Sequence, residues 1–158
     1  MALTDMETKF CKLPLDFEAL LNEDVGNNHL ASCNEIDSID QFIELLISTA
    51  PGEHTFDKEF GCEIFYLDFE SIVSHTRWEG QFSEYITKAI TRYEKRLTNV
   101  YVRVTIDDAT RQVSVSGTST IKKRVQVYVY GTLVHTGEKR CFYYVIQVSQ
   151  VQLAAFNL

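Results

Sequence analysis

Proline is scarce in this 158-residue chain, with two prolines beside seven glycines. That leaves no proline-rich or glycine-rich linker and no low-complexity stretch. A cationic excess is also missing. Fifteen lysines and arginines face 22 aspartates and glutamates, a net charge of −7, which works against binding nucleic acid or an anionic membrane. Long hydrophobic runs are absent too. The apolar run "FIELLI" is interrupted by Glu44 and is far too short to span a bilayer, so direct membrane insertion is not expected. The N-terminal "MALTDMETKF" has neither a basic nor an apolar signal region, and the expected compartment is the cytoplasm. Cys11, Cys33, Cys62 and Cys141 form no CxxC pair. In a reducing compartment they read as thiols, partly buried.

Catalytic and cofactor motifs are missing as well. His29, His54, His75 and His135 show no HExxH or paired spacing, so no metal site is expected. There is no G-x-S-x-G elbow, Walker loop or dinucleotide fingerprint, and no cofactor is implied. The dense basic triplet Lys122-Lys123-Arg124 reads as a solvated strand edge.

What is present is the composition of one globular domain, 45% hydrophobic and 23% charged. Residues 1–12 read as a loose tail, and residues 14–24 as a short helix with Pro14 in its first turn. "VGNNHLASCNE" reads as loop. A strong helix follows, with Ser38 and Gln41 as its capping box. Ile39, Phe42, Ile43, Leu46 and Ile47 keep the spacing of one buried face. It must stop near Thr49, before the turn at Ala50-Pro51-Gly52.

Phe56, Phe60, Phe65, Tyr66 and Phe69 then crowd a segment read as two short strands or irregular structure pressed on the core, with Gly61 as a tight backbone position. A second helix is expected over 81–96, its stripe running from Phe82 to Leu97. Everything after Asn99 is strand-like. "VYVRVTI" alternates, a turn is expected at Asp107-Asp108, and "RQVSVSG", "KRVQVYVYG" and "RCFYYVIQV" continue the pattern. Helices followed by consecutive strands predict an α+β fold, with N-terminal helices packed on a C-terminal antiparallel meander in a single domain. Trp78 and the ten phenylalanines are expected in its core.

The junction "RYEKRLTNVYVRV" places Glu94 among Arg92, Lys95 and Arg96. A glycosidase needs two carboxylates facing one cleft, one with a raised pKa. Glu94 is a candidate acid, with Glu63, Asp68 and Glu70 as candidate partners. Its cationic neighbours argue otherwise, because they hold a carboxylate ionised. A helix C-terminus also disfavours its charge unless a paired arginine or backbone N–H groups compensate. A solvated carboxylate ranks first, a brace between helix and strand second and catalysis third.

Several features in order resemble the baseplate wedge and sheath-initiator family of contractile injection machines, which includes the small wedge protein of contractile-tailed phages and TssE of type VI secretion. They are the helix "IDSIDQFIELLIST", the stretch "APGEHTFDKEFGCEIFYLDFES" with its Gly-Glu turn, Phe-Gly and Leu-x-Phe-Glu step, the helix "FSEYITKAITRYEKR" and the strand "VYVRVTI". The match covers residues 36–106 well and the later strands loosely. The family's aromatic-Glu-Pro-Arg hallmark reads Tyr93-Glu94-Lys95-Arg96 here, lysine replacing proline. Ser71 replaces the proline after the Phe-Glu step.

The resemblance divides the chain into a tail and short helix over 1–35 and a wedge-like α+β domain over 36–158. It implies a structural baseplate component, not an enzyme, that binds wedge proteins and contractile sheath subunits. In such a protein Glu94 and Arg96 serve architecture. Sheath strands would add to a sheet edge that includes Tyr143, Val145 and Gln147. Two alternatives stand beside this reading. One is a muramidase-type glycosidase; the other is an anti-adaptor of related fold that protects a stress sigma factor from proteolysis.

Overall fold

The computed structural model describes residues 9–15, 30–67, 75–113 and 119–148, without the side chains of 75, 108–113, 119–123 and 147–148. The expected helix over 14–24 therefore falls largely outside the described residues, as do His29, Asp68, Phe69, Glu70 and Ser71. The chain divides into two compact units, Met1–Leu45 and Leu46–Leu158.

In the first unit, β1 (Phe10–Cys11) pairs antiparallel with β2 (Ser32–Cys33). Both lie in stretches expected to be irregular. Helix α1 (Glu35–Ser48) begins one turn earlier than its expected capping box. Asn34 is the cap. Its Oδ1 accepts the Asp37 N–H at 2.8 Å, while its Nδ2 donates to Asp37 Oδ2 at 2.9 Å. Gln41, expected in the box, instead accepts the Leu13 N–H at 2.7 Å. Ile39, Ile43, Leu46 and Ile47 form the buried stripe of α1, as their spacing predicts, while Phe42, expected with them, is only half-buried.

The second unit begins at Leu46, within α1, and continues through the turn after it, where the Ala50 N–H donates to Glu53 Oε2 at 2.9 Å. As far as Leu67, where the described residues break off, the aromatic-rich segment is irregular apart from a 3-10 turn over Glu63–Tyr66. Gly61 sits at φ +121, and a Cβ there would stand 2.4 Å from the Thr49 carbonyl oxygen. The backbone is drawn this close by the Cys62 N–H, which donates to the same carbonyl at 2.9 Å. Phe56 corrects the expectation that every phenylalanine fills the core, because it is 95% exposed at the tip of this segment.

Helix α2 spans His75–Tyr93, starting six residues before the expected 81 and stopping short of Glu94. Trp78, Phe82, Ile86, Ala89 and Ile90 are its buried face. Leu97, expected as the end of this stripe, is buried as the first residue of β3.

The sheet has three antiparallel strands in the order β3-β4-β5: Leu97–Val113, Ser119–Leu133 and Lys139–Val148. This is the consecutive meander of an α+β fold. The turn expected at Asp107-Asp108 does not form, and β3 runs through it. Asp107 pairs with Arg124 across the ladder, and its carboxylate also accepts a hydrogen bond from Gln126 Nε2. Cross-strand partners thus override a local turn signal. The basic triplet lies on β4, the central strand, and not on an edge. Alternation puts Val102, Val104 and Ile106, then Val125, Val127 and Val129, then Phe142 and Tyr144 on the buried face. Helix α2 packs against β3.

Candidate functional site

Where α2 gives way to β3, the Glu94 N–H still donates to the Ile90 carbonyl at 2.8 Å, in helical register. Lys95 and Arg96 then turn the chain. Glu94 is 2% exposed, the one buried charged side chain among the described residues. This overturns the solvated reading. Burying a carboxylate is costly unless it is paired and hydrogen-bonded, and Arg96 does both. Glu94 Oε1 accepts the Arg96 backbone N–H at 2.9 Å and its Nε at 2.8 Å, while Oε2 accepts Nη2 at 2.5 Å. The guanidinium fork engages both oxygens. The Arg96 carbonyl accepts the Val134 N–H at 2.9 Å, and Leu97 pairs with Leu133. One residue thus links the end of α2 to the end of β4.

The Asn99 backbone lies in the left-handed region at φ 51, where the β3–β4 register shifts between Thr98 and Tyr101. Asparagine tolerates that region better than other side chains.

The end of α2 also holds the irregular segment. Lys88 pairs with Glu63 at 2.8 Å, Arg92 pairs with Glu59, and the Tyr93 hydroxyl donates to Asp57 Oδ2 at 3.2 Å. Phe60 meets the Tyr93 ring edge-on at 5.2 Å. The acidic partners raise the Lys88 and Arg92 pKa values chiefly through these hydrogen bonds. Sequence reasoning missed this clamp. Its signal is the i, i+4 spacing of Lys88 and Arg92 on one helical face, facing acids that no local pattern connects to them.

Glu63, a candidate second catalytic carboxylate, is therefore engaged by Lys88, while Asp68 and Glu70 lie outside the described residues. No group of three metal-ligating side chains occurs among the described residues, and none of their helices is long and apolar enough to cross a membrane.

Tyr143 and Val145 lie on β5 with 49% and 38% exposure. Gln147 is also on β5, and its side chain lies outside the described set. β5 is an edge of the sheet. The other edge strand, β3, is engaged by α2: Ser83 Oγ donates to the Val102 carbonyl at 2.5 Å, and Glu79 Oε1 accepts the Ile106 N–H at 3.0 Å.

Residues 34–138 match the model of the family described as baseplate wedge protein gp25. The chain belongs to this family. Its role is accordingly that of a baseplate component, assembled with other baseplate proteins. A search of curated proteins returns no match. Among solved structures, the wedge protein is similar to one named as a candidate tail lysozyme from Geobacter sulfurreducens. The TM-score is 0.55 at 19% identity, covering 76% of this chain and 96% of the other. That likeness shows the shared fold. A chain of the baseplate complex from the type VI secretion system aligns with TM-score 0.48 at 14% identity, covering 72% and 92%.

Proposed function

We propose that this wedge protein is a non-catalytic sheath initiator of a contractile injection apparatus, acting in the cytoplasm, with β5 as the strand on which sheath subunits begin to add. The observation that carries the proposal is the asymmetry of the sheet. α2 side chains engage the backbone of edge strand β3, whereas among the described residues no strand lies beyond β5. An open edge rich in β-branched and aromatic residues accepts an extended segment by β-augmentation. Family membership supports sheath and wedge proteins as the partners.

In this reading Glu94 and Arg96 are a brace. They fix the corner between α2 and β3 and so set the angle at which the sheet is presented. Both oxygens of this buried carboxylate are taken by one arginine, so it is not free to face a substrate as a glycosidase acid must. Two measurements test the proposal. The purified protein should leave peptidoglycan intact in a zymogram; cleavage that is lost in Glu94→Gln would overturn the non-catalytic reading. Folded β5 proline variants should fail to start sheaths in cells; normal assembly by all of them would remove β5 from the role.

A further inference from the structure

The outward face of the sheet is a second surface, distinct from the β5 edge. The register aligns Tyr101 with Tyr130 and Cys141, Arg103 with Tyr128 and Tyr143, and Thr105 with Gln126 and Val145. Alternation puts all of these opposite the buried valines. Tyr101 is 62% exposed, and its ring lies 6.0 Å from that of Tyr130. The Tyr128 and Tyr143 rings are 4.9 Å apart.

Among the described residues, the same face carries exposed Arg103, Arg124 and Lys139 against one exposed acid, Asp107. The chain as a whole has the opposite balance, with a net charge of −7. Among the described residues, neither the Arg103 nor the Arg124 side chain makes a hydrogen bond or ion pair. Tyrosines beside arginines on a surface short of carboxylates match the centre of a protein interface, where aromatic rings and arginines dominate affinity.

We propose that Tyr101, Arg103, Arg124, Tyr128, Tyr130 and Tyr143 form a docking surface for an acidic, extended segment of a partner protein. Charge complementarity selects the occupant. Arg103 is level with Tyr128, four residues along β4 from Arg124. That is about 13 Å at ~3.3 Å per residue. An extended segment therefore meets both guanidiniums with carboxylates about four residues apart, and its intervening apolar side chains lie over the tyrosines. A single-stranded nucleic acid would also stack on the rings, but it needs a cationic groove that tracks successive phosphates. The cations among the described residues, three and well separated on an open face of an acidic protein, do not provide one.

The test uses the full chain and random 12-residue peptides displayed on yeast, with selected peptides titrated against wild type, Arg103→Glu/Arg124→Glu and Tyr101→Ser/Tyr130→Ser. The expected winners carry two or more carboxylates about four residues apart. They should bind at least tenfold more weakly to both variants and weaken further as salt rises. Circular dichroism and denaturant midpoints should remain those of wild type. If charge reversal unfolds the protein, Arg103→Gln/Arg124→Gln supplies the same comparison. Winners without acids, or binding unchanged by the variants, overturn the proposal. A dT12 oligonucleotide that binds this face in place of peptides overturns it in favour of nucleic acid. Wild-type self-association, read by sedimentation and lost in the arginine variant, overturns it in favour of a second copy of the chain.

Discussion

Glu94 and Arg96, two residues apart, close a ring in which a buried carboxylate takes three hydrogen bonds from one arginine. The two partners are not equivalent. Arg96 keeps 27% of its side chain exposed, and Glu94 only 2%. Arg96→Ala leaves a buried charge uncompensated, which costs about 3–5 kcal/mol. Glu94→Ala leaves a guanidinium that can turn to water and one backbone N–H without its partner, for about 1–3 kcal/mol. The arginine variant should therefore have the lower denaturant midpoint. The double variant should lose less than the sum of the two. Equal losses near zero would remove the brace.

The α+β class, the face of α1 and the buried stripe of α2 were legible in the sequence because spacing and alternation record burial directly. Isoleucines 39, 43 and 47 and the alternating valines of β3 and β4 are such records. Features set by distant partners were not legible. Asp107-Asp108 has the composition of a turn, yet pairing with β4 and a hydrogen bond from the Gln126 side chain hold Asp107 in a long strand. Ser38 and Gln41 satisfy a capping pattern, but Asn34 offers the same chemistry one turn earlier, and Gln41 is taken by Leu13. At the junction, "YEKR" shows cations around Glu94 and not that Arg96 alone supplies every bond.

Burial pushes the Cys62 thiol up to about 11 from 9.0, with a smaller lowering from a backbone hydrogen bond and a small rise from Glu63. Thiolate is the reactive form, so Ellman's reagent at pH 8 should titrate the exposed Cys11 and Cys141 quickly and leave Cys62 unmodified until the protein unfolds. The sign of the pH effect follows. Above pH 9 the unfolded thiol loses its proton while the folded one keeps it, so the stability present below pH 9 falls up to about pH 11. The loss is up to about 3 kcal/mol at 1.36 kcal/mol per unit. Denaturant midpoints of wild type and Cys62→Ala at pH 8 and 10.5 check this: the decline should be steeper in the wild type.

Two glycines make opposite predictions. At Gly61, φ is +121 and a Cβ would meet the Thr49 carbonyl oxygen at 2.4 Å, so Gly61→Ala combines backbone strain with a clash against main chain. The expected loss is about 2 kcal/mol or more. Gly80 lies inside α2 with nothing within 4 Å of an added Cβ. Gly80→Ala should stabilise the protein by about 0.5–1 kcal/mol through the helix propensity of alanine. Thermal or denaturant unfolding of the two variants should move in opposite directions.

Proline on β5 separates its paired side from its open side. Successive residues of a strand direct their N–H groups alternately toward the two neighbours, so Tyr143 and Val145 share one direction and Ile146 takes the other. One direction faces β4, to which β5 is paired from Lys139 to Val148. The other faces the open edge. Proline removes a donor and is tolerated in sheets where that donor is not needed by the ladder. Val145→Pro and Ile146→Pro should therefore differ sharply. The variant whose N–H faced β4 should lose several kcal/mol or fail to fold, and the other should keep a near-native circular dichroism spectrum and denaturant midpoint. The folded variant is the one to carry into a sheath-assembly assay, because its only lost donor is the one an incoming strand would use. Equal destabilisation by both substitutions would mean that β5 is hydrogen-bonded on both sides, and it would remove the open edge on which sheath docking depends.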